Sequence, residues 1–337
     1  DLNPSYDESQ NADPIRISVK EGTDMTSLAP IFELTPGATI SPASGSVQNF
    51  TTPVRYTVTS EDKAWHRVYA ITAREQKASN IPTTYHFEKV RIMQNVWQEF
   101  YEEQDSGNEL TWASGNKGFK WAMSEAATED YPTTQIDNGK TGKCVKLETR
   151  LTGDLGNMVG MPIAAGNLFI GSFDMLNAIT NPLSATRFGT PFYNKPLRLT
   201  GYYKYKAGEQ FYENGEYTSR KDIFNIYAIF YDGVKYDSAG KGTDVTLDGN
   251  LPNQNYEHSS MVALALVSNP QETEGDEWKF FDIPFDYQRY GKKIDEARLA
   301  KGEYKIGIIF ASSKDGATFE GAPGSTLLID EVELIYE

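Results

Sequence analysis

From Tyr85 to the last residue the chain repeats one pattern: a short run rich in β-branched and aromatic residues, then a break of Gly, Pro, Asn or Asp. Runs this short, with apolar residues at every second position, are strands, because alternate side chains of an extended chain point to opposite faces. They fall near 143–149, 168–174, 197–206, 222–231, 260–268, 278–285, 304–312 and 326–336. Eight or more strands without a long helical period predict an all-β jelly-roll sandwich over 84–337. One short stretch, KKIDEARLA (292–300), has helical character and is expected over one end of the sandwich. No fixed-period repeat is present, which excludes solenoids and propellers.

The first quarter of the chain carries the same signal at smaller scale. IRISV (15–19) alternates with period two, and RYTVTSEDKAWHRVYAITA reads as a hairpin that turns over Ser60–Lys63. The stretch resembles the immunoglobulin-like modules that precede ligand-binding domains in bacterial surface proteins. A small immunoglobulin-like β-sandwich is therefore expected over 13–76, with EQKASNIPTT (75–84) as a polar linker.

Composition narrows the function classes. A chain of 337 residues exceeds the reach of one ordinary hydrophobic core, so two domains are expected. Its formal charge of −15 opposes phosphate backbones and anionic lipid, so nucleic acid is not an expected partner. No run of about 20 apolar residues exists to span a bilayer. No signal peptide or lipid-attachment cysteine precedes DLNPSYDESQ, as expected of a mature or trimmed chain. The single cysteine, Cys144, excludes an internal disulfide and is expected at a buried strand position. His66, His86 and His258 have no zinc-ligand spacing, and neither a phosphate-binding glycine loop nor a G-x-S-x-G elbow is present.

Five segments carry a more specific resemblance: WASGNKGFKWA (112–122), PIAAGNLFIGSF (162–173), RFGTPFYNKPLRLTGYYKYKAGEQF (187–211), WKFFDIPF (278–285) and IIFASSKDGATFEGAPGSTLLIDEVEL (308–334). Together they resemble the bacterial family called the putative carbohydrate metabolism domain. The resemblance implies a jelly roll likened both to carbohydrate-binding modules and to glycoside hydrolases, on secreted or surface lipoproteins of glycan-degrading bacteria. It brings no catalytic residues with it.

The terminal strand, GSTLLIDEVELIYE (324–337), holds Asp330, Glu331 and Glu333. Strict alternation puts Leu328, Asp330, Val332 and Leu334 on one face and Ile329, Glu331, Glu333 and Ile335 on the other. The nearest glycosidase pattern, Glu-x-Asp-x-x-Glu in concanavalin-like β-glucanases, has its first acid where this chain has Leu328. A retaining glycosidase needs two carboxyls about 5–5.5 Å apart, which counts against catalysis by this strand. Asp330 is expected among core side chains, where a carboxylate has to be paired or coordinated. Jelly-roll carbohydrate-binding modules use a first-strand Glu and a last-strand Asp around a structural calcium ion. That resemblance implies Ca²⁺ on Glu88 and Asp330, and the loop QIDNGKTGK (135–143) is expected to add Asp137 or backbone carbonyls, since Ca²⁺ takes six to eight oxygen ligands. The alternative is that Asp330 caps backbone amides without a metal.

Sugars offer apolar C–H faces and a rim of hydroxyls, so exposed rings beside amides and charges point to glycans. In PLRLTGYYKYK the non-core row holds Arg198, Tyr202 and Lys204; in DIFNIYAIFYD it holds Asn225 and Tyr227. If the two strands are neighbours, these five residues line a shallow platform; otherwise another element covers them. Among loop aromatics Trp112 is a further candidate, with plugging of the sandwich end as its alternative, and Trp278 is expected in the core. The expected function is non-catalytic binding of a polysaccharide or oligosaccharide, alongside other surface glycan-utilisation proteins. A glycoside hydrolase using Glu88, Glu148, Asp315 or Glu320 from separate strands, or a structural surface role, are the alternatives.

Overall fold

The computed structural model describes residues 12–20, 22–76, 81–104 and 109–337. The chain forms two compact units, Asp1–Ala78 (with Glu337) and Ser79–Tyr336. No helix among the described residues is long and apolar enough to cross a membrane.

In the first unit, Asp13–Lys20, His66–Gln76, Val54–Thr59 and Thr39–Ser41 lie side by side in that order. Asp13–Lys20 runs parallel to its neighbour, and the hairpin pairs Thr59 with His66. The core is Phe50, Tyr56, Ile71 and Ala73, with Met25, Leu28 and Phe32 packed on it from an irregular segment. That segment is tied to the chain further on by the bridge Leu28↔Gln48. The expected linker lies partly outside the described residues, since 77–80 are not among them.

The second unit is an all-β sandwich. One sheet has six strands, in the order Lys279–Pro284, Pro196–Lys206, Thr326–Tyr336, Lys143–Glu148 and Thr133–Asp137, with Thr84–Tyr85 added on Thr326–Tyr336. The other has five: Asn167–Phe169, Tyr304–Ala311, Asn225–Asp232 and Met261–Leu266, with Thr190–Phe192 on Tyr304–Ala311. Leu199, Tyr203, Leu327, Ile329, Val332 and Leu334 of the first sheet meet Ile226, Ala228, Phe230, Ile306, Ile308 and Phe310 of the second in one core. Burying this many aliphatic and aromatic side chains, at about 1.5–3 kcal/mol each, drives the two sheets together.

The five-stranded sheet is covered on its outer face too. Tyr227, Ile229, Tyr231, Leu264 and Ile309 form a second apolar cluster with Phe188, Leu247, Leu251 and Tyr256. Three short helices lie in this half of the molecule: α1 (Asn116–Ala122), α2 (Gly153–Met158) and α3 (Met175–Thr180). α3 starts at Asp174, whose carboxylate accepts from the Leu176 and Asn177 amides, a regular N-cap. The expected 292–300 helix is one turn, α4 (Glu296–Ala300), capped in the same way by Asp295.

The terminal strand departs from strict alternation. Thr200 pairs with Glu333 but Tyr202 pairs with Asp330, so Thr326–Tyr336 has one residue more than its partner between these positions. The extra residue makes a β-bulge, and Glu331 takes up the turn at φ 48°. Gly201 faces this point because a Cβ there would meet Phe281 Cζ at 2.7 Å and Val332 Cγ2 at 2.9 Å. The bulge resets the alternation. Leu327 and Ile329 point inward before it and Val332 and Leu334 after it, so Asp330 shares the outer face with Leu328 and not the core face with Val332.

Candidate functional site

Because Tyr202 and Phe280 are directly opposed in register, both rings stand on the outer face of the six-stranded sheet. Their centroids are 5.2 Å apart with the planes tilted by 55°, and Phe280 is 53 % exposed. Lys140 Nζ lies 4.8 Å from the Tyr202 centroid and Lys204 Nζ 5.0 Å from that of Trp278, both within cation–π range. Arg198 grips Asp282 with two bonds, Nε to Oδ1 at 2.7 Å and Nη2 to Oδ2 at 2.6 Å. Lys204 pairs with the fully exposed Asp276. Along the edge the face runs into an open cleft of about 600 Å³, lined by Phe280, Asp282, Leu266, Asn269 and Arg289. A row of rings flanked by paired cations and carboxylates offers stacking in the middle and hydrogen bonds at its rim.

This face keeps Arg198, Tyr202 and Lys204 together but excludes Asn225 and Tyr227. Their strand belongs to the other sheet, so the expected five-residue platform does not form. Asn225 is 3 % and Tyr227 2 % exposed, beneath the cluster that covers the five-stranded sheet. Trp112 is also internal, at 1 % exposure, within 5.1–5.9 Å of the rings of Tyr85, Phe87 and Phe310. In the other direction, Trp278 lies half-buried under Lys204 and is not core. The residues missed at the sequence level, Phe280 and Asp282, carried a usable signal: in KFFDIP every second residue from Phe280 faces out, while Phe281 and Ile283 are buried.

Two of the three carboxylates expected to hold calcium, Glu88 and Asp330, act on one loop. Glu88 Oε1 accepts the Lys143 amide at 2.9 Å; Asp330 Oδ2 accepts that of Thr141 at 3.0 Å, and its Oδ1 that of Glu331 at 2.8 Å. Gly139 and Gly142 let the loop come this close, since a Cβ would lie 2.7 Å from Asp330 Oδ2 and 2.1 Å from Glu88 Oε1. Burial pushes the Asp330 carboxyl up to about 6 against the pull of these amides. Asp137 stands exposed at the strand end, and no group of three or more His, Cys, Asp or Glu that could hold a metal occurs among the described residues. The donors present cap backbone amides, as the second expectation for Asp330 had it. Cys144, on the adjacent strand, is fully buried, and its thiol is pushed up to about 12 by that burial.

The putative carbohydrate metabolism domain matches residues 86–335. The chain belongs to this family. Ahead of that family domain, residues 5–73 match the N-terminal domain of surface glycan-binding proteins (SGBP, N-terminal). A crystal structure from Bacteroides thetaiotaomicron VPI-5482, described as a putative glycoside hydrolase, is 46 % identical, with a TM-score of 0.69; the match covers 96 % of this chain and 91 % of that one. A second, from Bacteroides vulgatus ATCC 8482 and described in the same words, is 50 % identical with a TM-score of 0.71, covering 77 % of this chain and 100 % of that one. No curated protein matches the chain. Family membership gives the chain a carbohydrate-related role.

Proposed function

We propose that this protein binds an oligosaccharide or polysaccharide outside the cytoplasm, through the Tyr202–Phe280 face, and does not cleave it. The observation that carries the reading is an aromatic pair left half in solvent on a sheet face, between the Arg198–Asp282 and Lys204–Asp276 pairs. A pyranose C–H face stacks on such an exposed pair at little conformational cost. The match of residues 5–73 to surface glycan-binding proteins supports a place at the cell surface among other glycan-utilisation proteins.

The rival reading is hydrolysis, favoured by the descriptions of the two solved relatives. Against it, three of the four carboxylates that sequence brought forward are engaged elsewhere. Glu88 caps the Lys143 amide, Glu148 is held by Lys146 and Arg150, and Asp315 is paired with Arg220. Asp282, on the face itself, is held at both oxygens by Arg198. A glycan array run with a reducing-sugar assay on the same polysaccharides separates the readings. Binding without release is expected; release abolished by one carboxylate substitution would establish hydrolysis.

A further inference from the structure

Asn225 and Tyr227, displaced from the platform, meet again in a cavity of about 170 Å³. Its floor is the outer face of the five-stranded sheet, and its walls come from α1, α2 and α3, through Gly118, Val159 and Ala178 among others. The surface inside is mostly apolar and rich in rings: Phe169 and Phe188 meet edge to face at 5.3 Å, Phe188 and Tyr227 at 6.3 Å. The cavity opens to solvent beside Trp121 and Lys314, both lining residues and both exposed.

Two polar groups in this lining lack partners. Asn225 donates from Nδ2 to the Tyr256 hydroxyl at 2.8 Å, but no hydrogen bond among the described residues reaches its Oδ1. The Tyr227 hydroxyl makes none either, although its neighbour two residues on, Tyr231, donates to the Phe188 carbonyl at 2.7 Å. Neither atom is sealed from solvent, so both face the cavity, and a ligand that displaces water from it has to satisfy them. At the mouth, the Lys314 ammonium has no salt bridge among the described residues and favours an anion there.

Size and polarity select the ligand. An apolar cavity of about 150 Å³ holds one benzene ring. A pyranose would bring several hydroxyls against a mostly apolar wall, which costs more than its C–H faces return. We infer that the cavity binds a single aromatic ring carrying a hydroxyl: the ring lies among Phe169, Phe188 and Tyr227, and the hydroxyl donates to Asn225 Oδ1 and accepts from Tyr227. A carboxylate on the far side of the ring would lie toward Lys314. The site is separate from the Tyr202–Phe280 face, and neither reading depends on the other.

The test is calorimetric titration of the full chain with 4-hydroxybenzoate, with benzoate lacking the hydroxyl, and with glucose. The expected result is binding of 4-hydroxybenzoate, at least about tenfold weaker binding of benzoate, as the loss of the hydroxyl's two hydrogen bonds predicts, and none of glucose. Tyr227→Phe removes an unpartnered hydroxyl, so it should fold with an unchanged melting temperature and narrow the difference between the two acids. Ala178→Trp should fill the cavity and abolish binding of both. Equal affinity for the two acids, binding untouched by Ala178→Trp, or no binding of either acid at millimolar concentration would overturn the inference. Phe280→Ala should leave the titration unaltered, whatever it does to glycan binding.

Discussion

Asp330 stands directly opposite Tyr202 across the paired terminal strand, and the loop it holds through the Thr141 amide places Lys140 over the Tyr202 ring. The acid that looked like a core or catalytic residue therefore supports the face beside it. Asp330→Ala leaves two amides without acceptors in a site with no solvent access and should destabilise the domain by about 1–3 kcal/mol. Denaturant titration measures this, and glycan affinity should fall with it as Lys140 is released.

Chelation decides the calcium proposal. With amides already on Glu88 Oε1 and on both oxygens of Asp330, the melting temperature should be the same in EDTA and in added Ca²⁺. A rise with Ca²⁺ would show binding to the native state, which at a hundredfold excess over Kd amounts to about 2.7 kcal/mol.

Acidification tests Asp330 by linkage. Its folded pKa, near 6, lies above the ordinary 3.8, so between these values the native state holds more proton than the unfolded chain. This contribution is fully present below about 3.8 and is lost as pH rises through 6. Relative to Asp330→Asn, which has no such titration, the wild type should gain stability between pH 7 and pH 5. A parallel pH profile for the two would refute the assignment.

The bulge predicts a sharp effect at Gly201. A methyl group there meets Phe281 and Val332 below contact distance, so Gly201→Ala should cost about 1–3 kcal/mol in a denaturant midpoint shift.

The two aromatic sets should separate in one experiment. Phe280→Ala and Tyr202→Ala should weaken glycan binding by about 1–2 kcal/mol, with Phe280→Ala barely changing stability because that ring is already half exposed. Tyr227→Ala, cut from a buried cluster, should instead destabilise by about 3–5 kcal/mol. Equal loss of stability in Phe280→Ala and Tyr227→Ala would remove the face from consideration.

Strand positions were legible because alternation is local. The Pro196–Lys206 strand shows Leu199, Tyr203 and Tyr205 inward and Arg198, Tyr202 and Lys204 outward, as residue type demands. The same rule failed at Asp330. A bulge is one residue counted against a partner strand, and nothing in LLIDEVEL alone shows which residue is supernumerary. The three helices around the cavity were missed because none is longer than seven residues, too short to display a period of 3.6.

By itself the sequence determined that this is an all-β, acidic, two-part chain, because turn residues and period-two burial act between neighbours along the backbone. Only tertiary structure decided that Tyr202 lies beside Phe280 while Tyr227 lies in the opposite sheet. It alone decided that the outer face of the Asn225–Asp232 strand is covered, and that Glu88 and Asp330 meet one loop. The reason is physical: sheet order and layer burial are set by the summed packing of segments far apart in the chain, and each segment carries information only about its own two faces.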